Sequence, residues 1–354
     1  MKSIIKGVRI GAVSAAVPDN WVSLTDQFAV DEAEAKTVKK FIKSTGVTGR
    51  YLAGPRQTTS DLCFAAAKQI LDSLGIDKSQ IGTLVLVTQT EDYRSPASAT
   101  VLQYRLGLSQ ACIAFDVNLG CSGYTCGLNI AGSLLMQSSA KYALLLCGDT
   151  SAREKDPNDA LFSSNADKML FGDSGTATLL VRDEDAPDIN VLSASDGSGF
   201  KTIMTPYEWY RNPVRSDPAT IMDGIGVFNF STEEAPKMIC RLMSELGSSP
   251  DDYDHLVLHQ ANKLIIDSIG KATGFDKDKN LSSIATFGNT SSGSIPDTLV
   301  DHYGSDQSGE LLHCILCGFG VGLSWSAVDC YIAKNVILPL VKTNDYFDDG
   351  MHVG

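Results

Sequence analysis

The chain has 354 residues, 43% hydrophobic and 20% charged, with a formal net charge of −13 and a sequence pI near 4.8. These values fit a folded globular protein long enough for two similar halves. The acidic balance without a basic stripe argues against nucleic-acid binding, and no apolar run of about 18 residues is present to span a membrane.

The start, Met1-Lys-Ser-Ile-Ile-Lys-Gly7, is too short in its apolar part for a signal peptide. Nine cysteines is an odd number. Cys112, Cys147, Cys314 and Cys330 lie in apolar strand-like runs, which points to reduced thiols and a cytoplasmic protein. In chain order, residues 4–17 read as a first strand and its turn, stopped by Pro18. A charged helical pattern over 31–43 breaks at Thr45-Gly46. Thr59-Ser60-Asp61 caps a helix running to Leu74. A buried strand follows at Leu84-Val-Leu-Val-Thr-Gln89, then a polar loop at 91–96 and a helix at 99–106.

Next comes Asp116-Val-Asn-Leu-Gly-Cys-Ser-Gly123. The apolar run Cys112-Ile-Ala-Phe115 leads into it as a buried strand. Tyr124, Leu128, Ala131 and Leu135 then recur at helical spacing. Cys121 therefore sits where a strand ends and a helix begins. Free N–H groups and the helix dipole stabilise a thiolate there, which lowers the thiol pKa and makes a nucleophile. A buried core cysteine is the competing reading.

Strand 142–147 ends at Gly148-Asp149, and the polar stretch 150–170 reads as a cover over a site. Arg182-Asp-Glu-Asp-Ala-Pro-Asp188 joins two halves. The loop 201–222 is rich in aromatic and basic residues, among them Tyr207, Trp209, Tyr210, Arg211 and Arg215. Helix 232–246 and strand 256–258 precede His259-Gln-Ala-Asn262. Helix 263–272 closes at Gly274. A strand-like 282–286 leads to Phe287-Gly-Asn-Thr290 and a helix with Pro296 in its first turn. The tail beyond Ala333, with Asp345, Asp348 and Asp349, reads as a solvated extension. The expected division is 1–184, 185–335 and a C-terminal extension 336–354.

A faint duplication supports the two halves. Leu71-Asp-Ser-Leu-Gly75 precedes Leu84-Val-Leu-Val, and Met243-Ser-Glu-Leu-Gly247 precedes Leu256-Val-Leu. In both, nine positions separate the Gly from the first Leu. Asn118 lies 34 residues after Leu84, and Asn289 lies 33 after Leu256. Each half closes in a Gly-rich turn, Phe171-Gly-Asp-Ser-Gly175 and Gly318-Phe-Gly-Val-Gly322. The reading is α/β, two related lobes with pseudo-twofold symmetry.

Ligands of α/β proteins bind beyond the carboxyl ends of strands. Cys121, His259 and Asn289 all occupy such places, so the three converge if the lobes pack with twofold symmetry. Singly, His259 reads as a hydrogen-bonded structural residue and Asn289 as a helix cap. Cys314-Ile-Leu-Cys317 has redox-motif spacing but lies in a strand pattern and reads as core. His255 and His259 flank a strand, with no Glu to complete a zinc helix motif. Gly120-Cys-Ser-Gly123 does not match the G-x-S-x-G spacing of α/β-hydrolases.

These motifs resemble the thiolase-like condensing enzymes, in particular the β-ketoacyl-acyl-carrier-protein synthase III family. The matching residues are the Cys121 turn, His259-Gln-Ala-Asn262, Phe287-Gly-Asn-Thr-Ser291 and Gly318-Phe-Gly-Val-Gly-Leu-Ser-Trp325, over about residues 4–333. The resemblance implies a five-layer α-β-α-β-α fold, a homodimer, a Cys121–His259–Asn289 site, and acyl-CoA or acyl-carrier-protein thioesters as partners. It implies no metal and no cofactor. Cys121 would attack a thioester carbonyl, with the N–H groups of Cys121 and Val321 holding the oxyanion. Nε2–H of His259 and the Asn289 amide would hold the enolate of a decarboxylated malonyl thioester.

Substrate positions depart from the family pattern. Lys40 and Ser44 stand where housekeeping members place a Trp and an Arg around the CoA adenine. Leu264 replaces an Arg, and Ser95 replaces a Phe near the acyl pocket. Arg211, Arg215 and Lys263 are candidates to receive an acidic carrier, against a solvated face as the competing reading. Three functions are consistent with the sequence: decarboxylative Claisen condensation, acyl transfer from Cys121 to a hydroxyl or amine, and a non-catalytic partner subunit. The intact Cys–His–Asn set speaks against the last.

Overall fold

The computed structural model describes residues 1–153, 165–206, 211–212 and 220–351. The N-terminal part holds β1 (Lys2–Ile5), β2 (Val8–Val17), β3 (Trp21–Ser23), α1 (Leu24–Phe28), α2 (Glu32–Thr45), β4 (Gly49–Tyr51), α3 (Thr59–Leu74), β5 (Ile81–Val87), α4 (Ser98–Leu106), β6 (Ile113–Val117), α5 (Gly123–Gln137), β7 (Tyr142–Asp149), α6 (Asn165–Leu170) and β8 (Ser174–Arg182). The C-terminal part holds β9 (Ile189–Ser195), β10 (Ile203–Met204), β11 (Ile221–Met222), α7 (Gly224–Leu246), β12 (His255–Leu258), α8 (Lys263–Thr273), β13 (Asn280–Leu281), α9 (Ile284–Phe287), α10 (Ser294–Tyr303), β14 (Leu311–Gly320), β15 (Ser324–Ala333) and β16 (Val341–Lys342).

Two six-stranded mixed sheets form, in the orders β16-β2-β8-β7-β5-β6 and β1-β9-β15-β14-β12-β13. Without the flanking β16 and β1, both sheets place their successive strands in the same order: first, fifth, fourth, second, third. The repeat seen in the sequence is therefore a repeat of topology. Its shared offsets come from helices that end alike. α3 stops at Gly75 and α7 at Gly247, with φ of 59° and 69°, left-handed values that glycine adopts without a Cβ clash.

The layers follow from three apolar clusters. Between the sheets, Tyr124, Leu128 and Leu135 of α5 and Ile295 and Leu299 of α10 pack with residues of both sheets. Outside the first sheet, Leu62, Ile70 and Leu71 of α3 and Leu102 and Leu106 of α4 cover it. Outside the second, Ile239 and Leu242 of α7 and Ile265 and Ile269 of α8 do the same. This is the thiolase-like five-layer α-β-α-β-α arrangement. α5 carries apolar side chains all round because it is covered on both sides, as a central-layer helix must be.

Several elements differ from the sequence reading. The strand before Cys121 is not buried: β6 is a half-exposed edge strand of the first sheet. α7 begins at Gly224, ahead of the helix expected from 232. Residues 4–17 are not one strand: β1 breaks off at Gly7 and pairs antiparallel with β9 in the other sheet. Residues 282–286 are not a strand: 282–283 lead into the short helix α9, and 284–286 are part of it. The tail is not a solvated extension. β16 adds to the edge of the first sheet beside β2. Beyond it, Gln57 donates to the carbonyls of Thr343 and Asp345, Arg56 pairs with Asp348, and Tyr93 donates to Asp349. The Phe347 N–H donates to Asp61 (2.9 Å), whose carboxylate also receives buried Arg105 (2.8 Å). Arg105 lies over the rings of Phe64 and Phe347, 4.6 Å from each centroid.

This fastening is testable. Phe347→Ala removes one of the two rings over a buried guanidinium and should cost about 1–2 kcal/mol. The checks are the urea unfolding midpoint and the resistance of the tail to carboxypeptidase. Both unchanged would mean that the tail is not held by Arg105.

Candidate active site

Cys121 lies in the connection from β6 to α5, one residue before the N-cap Ser122. The end of β14 passes directly over it. A Cβ on Gly318 would stand 2.9 Å from the Ser122 Cα, and one on Gly320 would stand 2.6 Å from the Cys121 Cβ. Only glycine lets one lobe come this close to the Cys121 turn of the other. The Gly-rich string read as a turn is thus mainly the last residues of a strand. Ser122 and Ser324 close the seam with a 2.6 Å hydroxyl pair.

His259 follows β12 and is 1% exposed. Its N–H continues the parallel ladder to the Cys317 carbonyl (2.9 Å). Asn262 caps α8 by accepting from the Ile265 N–H (2.9 Å), which fixes where the chain turns. The Phe319 ring meets the imidazole edge-on at 5.5 Å. Asn289 is anchored through its backbone to Leu170 and Gly172 of the first half. Its Oδ1 accepts the Ser291 N–H (2.9 Å), so its role in the chain is a local turn and not the cap of α10. Among the hydrogen bonds of the described residues, its NH₂ group is unused.

The three residues line one cavity of about 600 Å³ together with Ser291, Gly320 and Val321. The structure brings thiol, imidazole and amide from the two lobes to a single space. Arg211 lines it too. Arg215, Tyr207, Trp209 and Tyr210 lie outside the described residues. Lys40, Ser44, Ser95 and Lys263 are exposed and lie outside the cavity lining. Ser44 donates within α2 to Phe41, and Lys263 pairs with Asp267 on its own helix. These four therefore belong to the outer surface.

The electrostatics reverse one expectation. Burial pushes the Cys121 thiol up to about 12, assisted by the nearby Asp149 and opposed by its own N–H and by the Ser291 hydroxyl. The helix start is present, but desolvation of the thiolate outweighs it. Burial also lowers His259 to about 3, with the Ser291 carbonyl opposing. Thiol and imidazole rest neutral, and neither shift has the other residue as a cause.

A serine holds the imidazole: the His259 Nδ1 lies 2.8 Å from the Ser294 Oγ, which also reaches the Ser291 carbonyl (2.9 Å) and accepts from the Gln260 N–H (3.3 Å).

Ser291, Ser294 and buried Asp149 were not legible as site residues. The string Asn289-Thr-Ser-Ser-Gly-Ser294 offers several hydroxyls, and nothing local tells which face the cavity. Ser291 takes φ 52°, the one non-glycine residue with positive φ among the described residues, a conformation that serine does not signal.

Comparison with known proteins identifies the family. Residues 115–198 match the 3-oxoacyl-[acyl-carrier-protein] synthase III family, and 243–331 match its C-terminal family. The chain is 32% identical over 321 residues to a β-ketoacyl-[acyl-carrier-protein] synthase III of Neisseria meningitidis, covering 90% of this chain and 98% of that one. The chain belongs to the β-ketoacyl-acyl-carrier-protein synthase III family. A 3-oxoacyl-(acyl-carrier protein) synthase structure from Burkholderia xenovorans superposes with a TM-score of 0.88 at 31% identity, covering 97% and 99% of the two chains. The synthase III of Pseudomonas aeruginosa superposes with a TM-score of 0.79 at 28% identity, covering 95% and 99%. As a synthase III, the chain keeps the family's two-lobed frame along nearly its whole length.

The neutral imidazole has a pH consequence. The folded His259 sits below the unfolded value of 6.5, so an unfolded chain binds a proton there that the folded chain refuses. Its contribution to stability is complete above 6.5 and is lost as pH falls toward about 3. Histidine ring NMR should show one ring, absent from a His259→Asn spectrum, that stays neutral until pH nears 3. A midpoint near 6.5 for that ring would contradict the buried neutral assignment.

Proposed function

We propose that the protein is an acyltransferase that condenses an acyl thioester primer with a malonyl thioester, using Cys121, His259 and Asn289. The observation that carries this reading is the unused Asn289 NH₂ facing the same cavity as the thiol. Simple acyl transfer needs a nucleophile and an oxyanion site. An amide donor held in place by its own Oδ1 adds a site for a second, enolate oxygen.

The steps follow from the residues. The Cys121 sulfur attacks the primer carbonyl, and the carrier thiol leaves. The oxyanion is held by the N–H groups of Cys121 and Val321, both at the cavity wall. The malonyl thioester then loses CO₂, and the electron pair of the broken bond becomes the enolate. Asn289 NH₂ and the Nε2–H form of His259 hold the enolate oxygen. Both are neutral donors, which stabilise the anion without protonating its carbon. The enolate carbon attacks the acyl carbonyl, and the Cys121 thiolate departs. Acyl-CoA and acyl-carrier-protein thioesters are the partner class, with Arg211 and Arg215 of the 201–222 loop as candidate contacts.

Intact-mass measurement with an acyl-CoA panel tests this directly. One acyl adduct should remain on the wild-type protein and none on Cys121→Ala. Asn289→Ala should still acylate but lose carbon–carbon product by about 10²–10³-fold. Equal loss of both half-reactions, or product without malonyl thioester, would overturn the condensation.

The same reading includes a homodimer. β6 is an edge strand, bonded to β5 alone among the described residues, and Ile113 on it is 56% exposed. Tyr104 on the neighbouring α4 is 79% exposed. An open apolar edge invites pairing, and a twofold-related copy supplies the matching edge. The protein should run at about twice its 37.8 kDa in light scattering. Ile113→Lys should shift it toward the monomer. A monomeric wild type would remove the dimer.

A further inference from the structure

The cavity wall beside the Cys121 turn carries two side-chain amides. Gln89 stands two residues past the end of β5, and Asn118 is the first residue past β6. Both line the cavity with Cys121. Gln89 Nε2 donates to Asn118 Oδ1 (3.3 Å), which joins the two carboxamides into one surface. That surface lies against the turn: a Cβ on Gly120 would stand 2.4 Å from Gln89 Oε1. No other hydrogen bond to either carboxamide forms among the described residues. Gln89 Oε1, the Asn118 NH₂ and the remaining Gln89 N–H are therefore open to a ligand, and both side chains are exposed in the single chain.

The backbone behind the amides is fixed. The Gln89 N–H donates to buried Asp149 (2.7 Å), and Thr90 Oγ1 bonds Thr59 Oγ1 (2.8 Å). Asp92 accepts from the Ser60 hydroxyl (2.5 Å), and its N–H donates to Ser98 Oγ (2.9 Å). Glu91, between these anchors, also lines the cavity. The C-terminal lobe, by contrast, lines it with Ile203, Met204, Met222 and Phe228. The cavity thus has apolar lining from one lobe and, beside the Cys121 turn, amides and a carboxylate from the other. Fixed polar groups in an otherwise apolar cavity are what orient and select a ligand.

We propose that Gln89 and Asn118 are specificity-determining residues that select a neutral acyl group bearing a hydroxyl or an amide over a plain alkyl chain. The inference rests on the thioester reading above for the acyl donor. An alkyl group laid on this wall displaces water from the carboxamides and leaves their donors and acceptors unpaired. A hydroxyl restores the pairs, since it gives one hydrogen bond and takes others. A site built to hydrogen-bond its substrate rejects the analogue lacking that group far more strongly than an apolar pocket rejects an added hydroxyl. Glu91 adds a charge filter, because a dicarboxylic acyl group would bring a second anion to the same wall. The malonyl unit is thereby disfavoured as primer.

The test compares donors within one protein, so a general loss of activity in a variant cancels. With CoA as the constant carrier, intact-mass kinetics follow acylation of Cys121 by butyryl, by the α-, β- and γ-hydroxybutyryl isomers, and by succinyl. At least one hydroxybutyryl isomer should react about 10- to 10²-fold faster than butyryl. Gln89→Met and Asn118→Leu should each bring that ratio to about one or reverse it. Butyryl as fast as every hydroxybutyryl isomer in the wild type overturns the proposal, and so does succinyl as the best donor. A ratio unchanged in both variants also overturns it, since amides that slow all acyl-CoAs alike would be reading the carrier arm. Alkylation of Cys121 by N-hydroxyethyl iodoacetamide against N-propyl iodoacetamide makes the same comparison without a thioester. Preference for the hydroxylated reagent, lost in the two variants, supports the wall even if no acyl-CoA reacts, a result that would sink the thioester reading alone. No preference between the two reagents overturns it.

Discussion

The site depends on how closely β14 passes the Cys121 turn. Backbone from one lobe meets backbone from the other with room for no more than a hydrogen at Gly318 and Gly320. This contact brings Gly320 and Val321 to the same cavity wall as the thiol, and β12 is held beside β14 through the parallel ladder from His255↔Cys314 to Leu258↔Cys317. His259 is the next residue after that ladder. A shift of β14 by one residue would move the imidazole and the Val321 N–H together, and it would drive a side chain into Cys121. The geometry of the candidate site is thus a property of strand register, with the loops adding only the last few atoms.

Around that frame the site is kept neutral at rest. Desolvation holds the thiol protonated and the imidazole unprotonated, and hydroxyls connect them to the remaining polar groups. Ser291 serves two of these groups at once: its N–H holds the Asn289 amide oxygen, and its carbonyl accepts from the serine beside His259. A pre-charged thiolate–imidazolium pair would attract water and protonate an enolate carbon. Neutral donors avoid this, and they leave the charge to appear only as bonds change.

Much of the frame was readable because its determinants are local. A glycine at the same distance before each Leu-Val-Leu strand ends two helices by the same left-handed turn, and the sheet orders repeat as a result. Cys121, His259 and Asn289 were legible for the same reason: each stands at a switch between elements. What was not legible is long-range. Nothing within Lys2-Ser-Ile-Ile5 says that β1 joins the other lobe's sheet. The tail aspartates look solvated because their partners, Arg56 and Tyr93, are far away in sequence. The raised thiol was missed because a helix start is visible in sequence, whereas the desolvation that outweighs it depends on β14.

The buried acids around the site give its stability a pH dependence opposite to that of His259. Burial raises Asp173 and Asp297 to about 7 and also raises Asp149. These carboxyls keep their protons in the fold at pH values where an unfolded chain has lost them. The contribution of Asp173 and Asp297 is complete below the ordinary 3.8 and is lost as pH rises through about 7. His259 works over nearly the same window with the reverse sign, since the fold refuses a proton that the unfolded chain takes. Two carboxyls, Asp173 and Asp297, outnumber one imidazole, so within this window the folded site binds more protons than the unfolded chain. Raising pH toward neutrality therefore removes the stability that these two buried acids supply, while the contribution of neutral His259 is already complete.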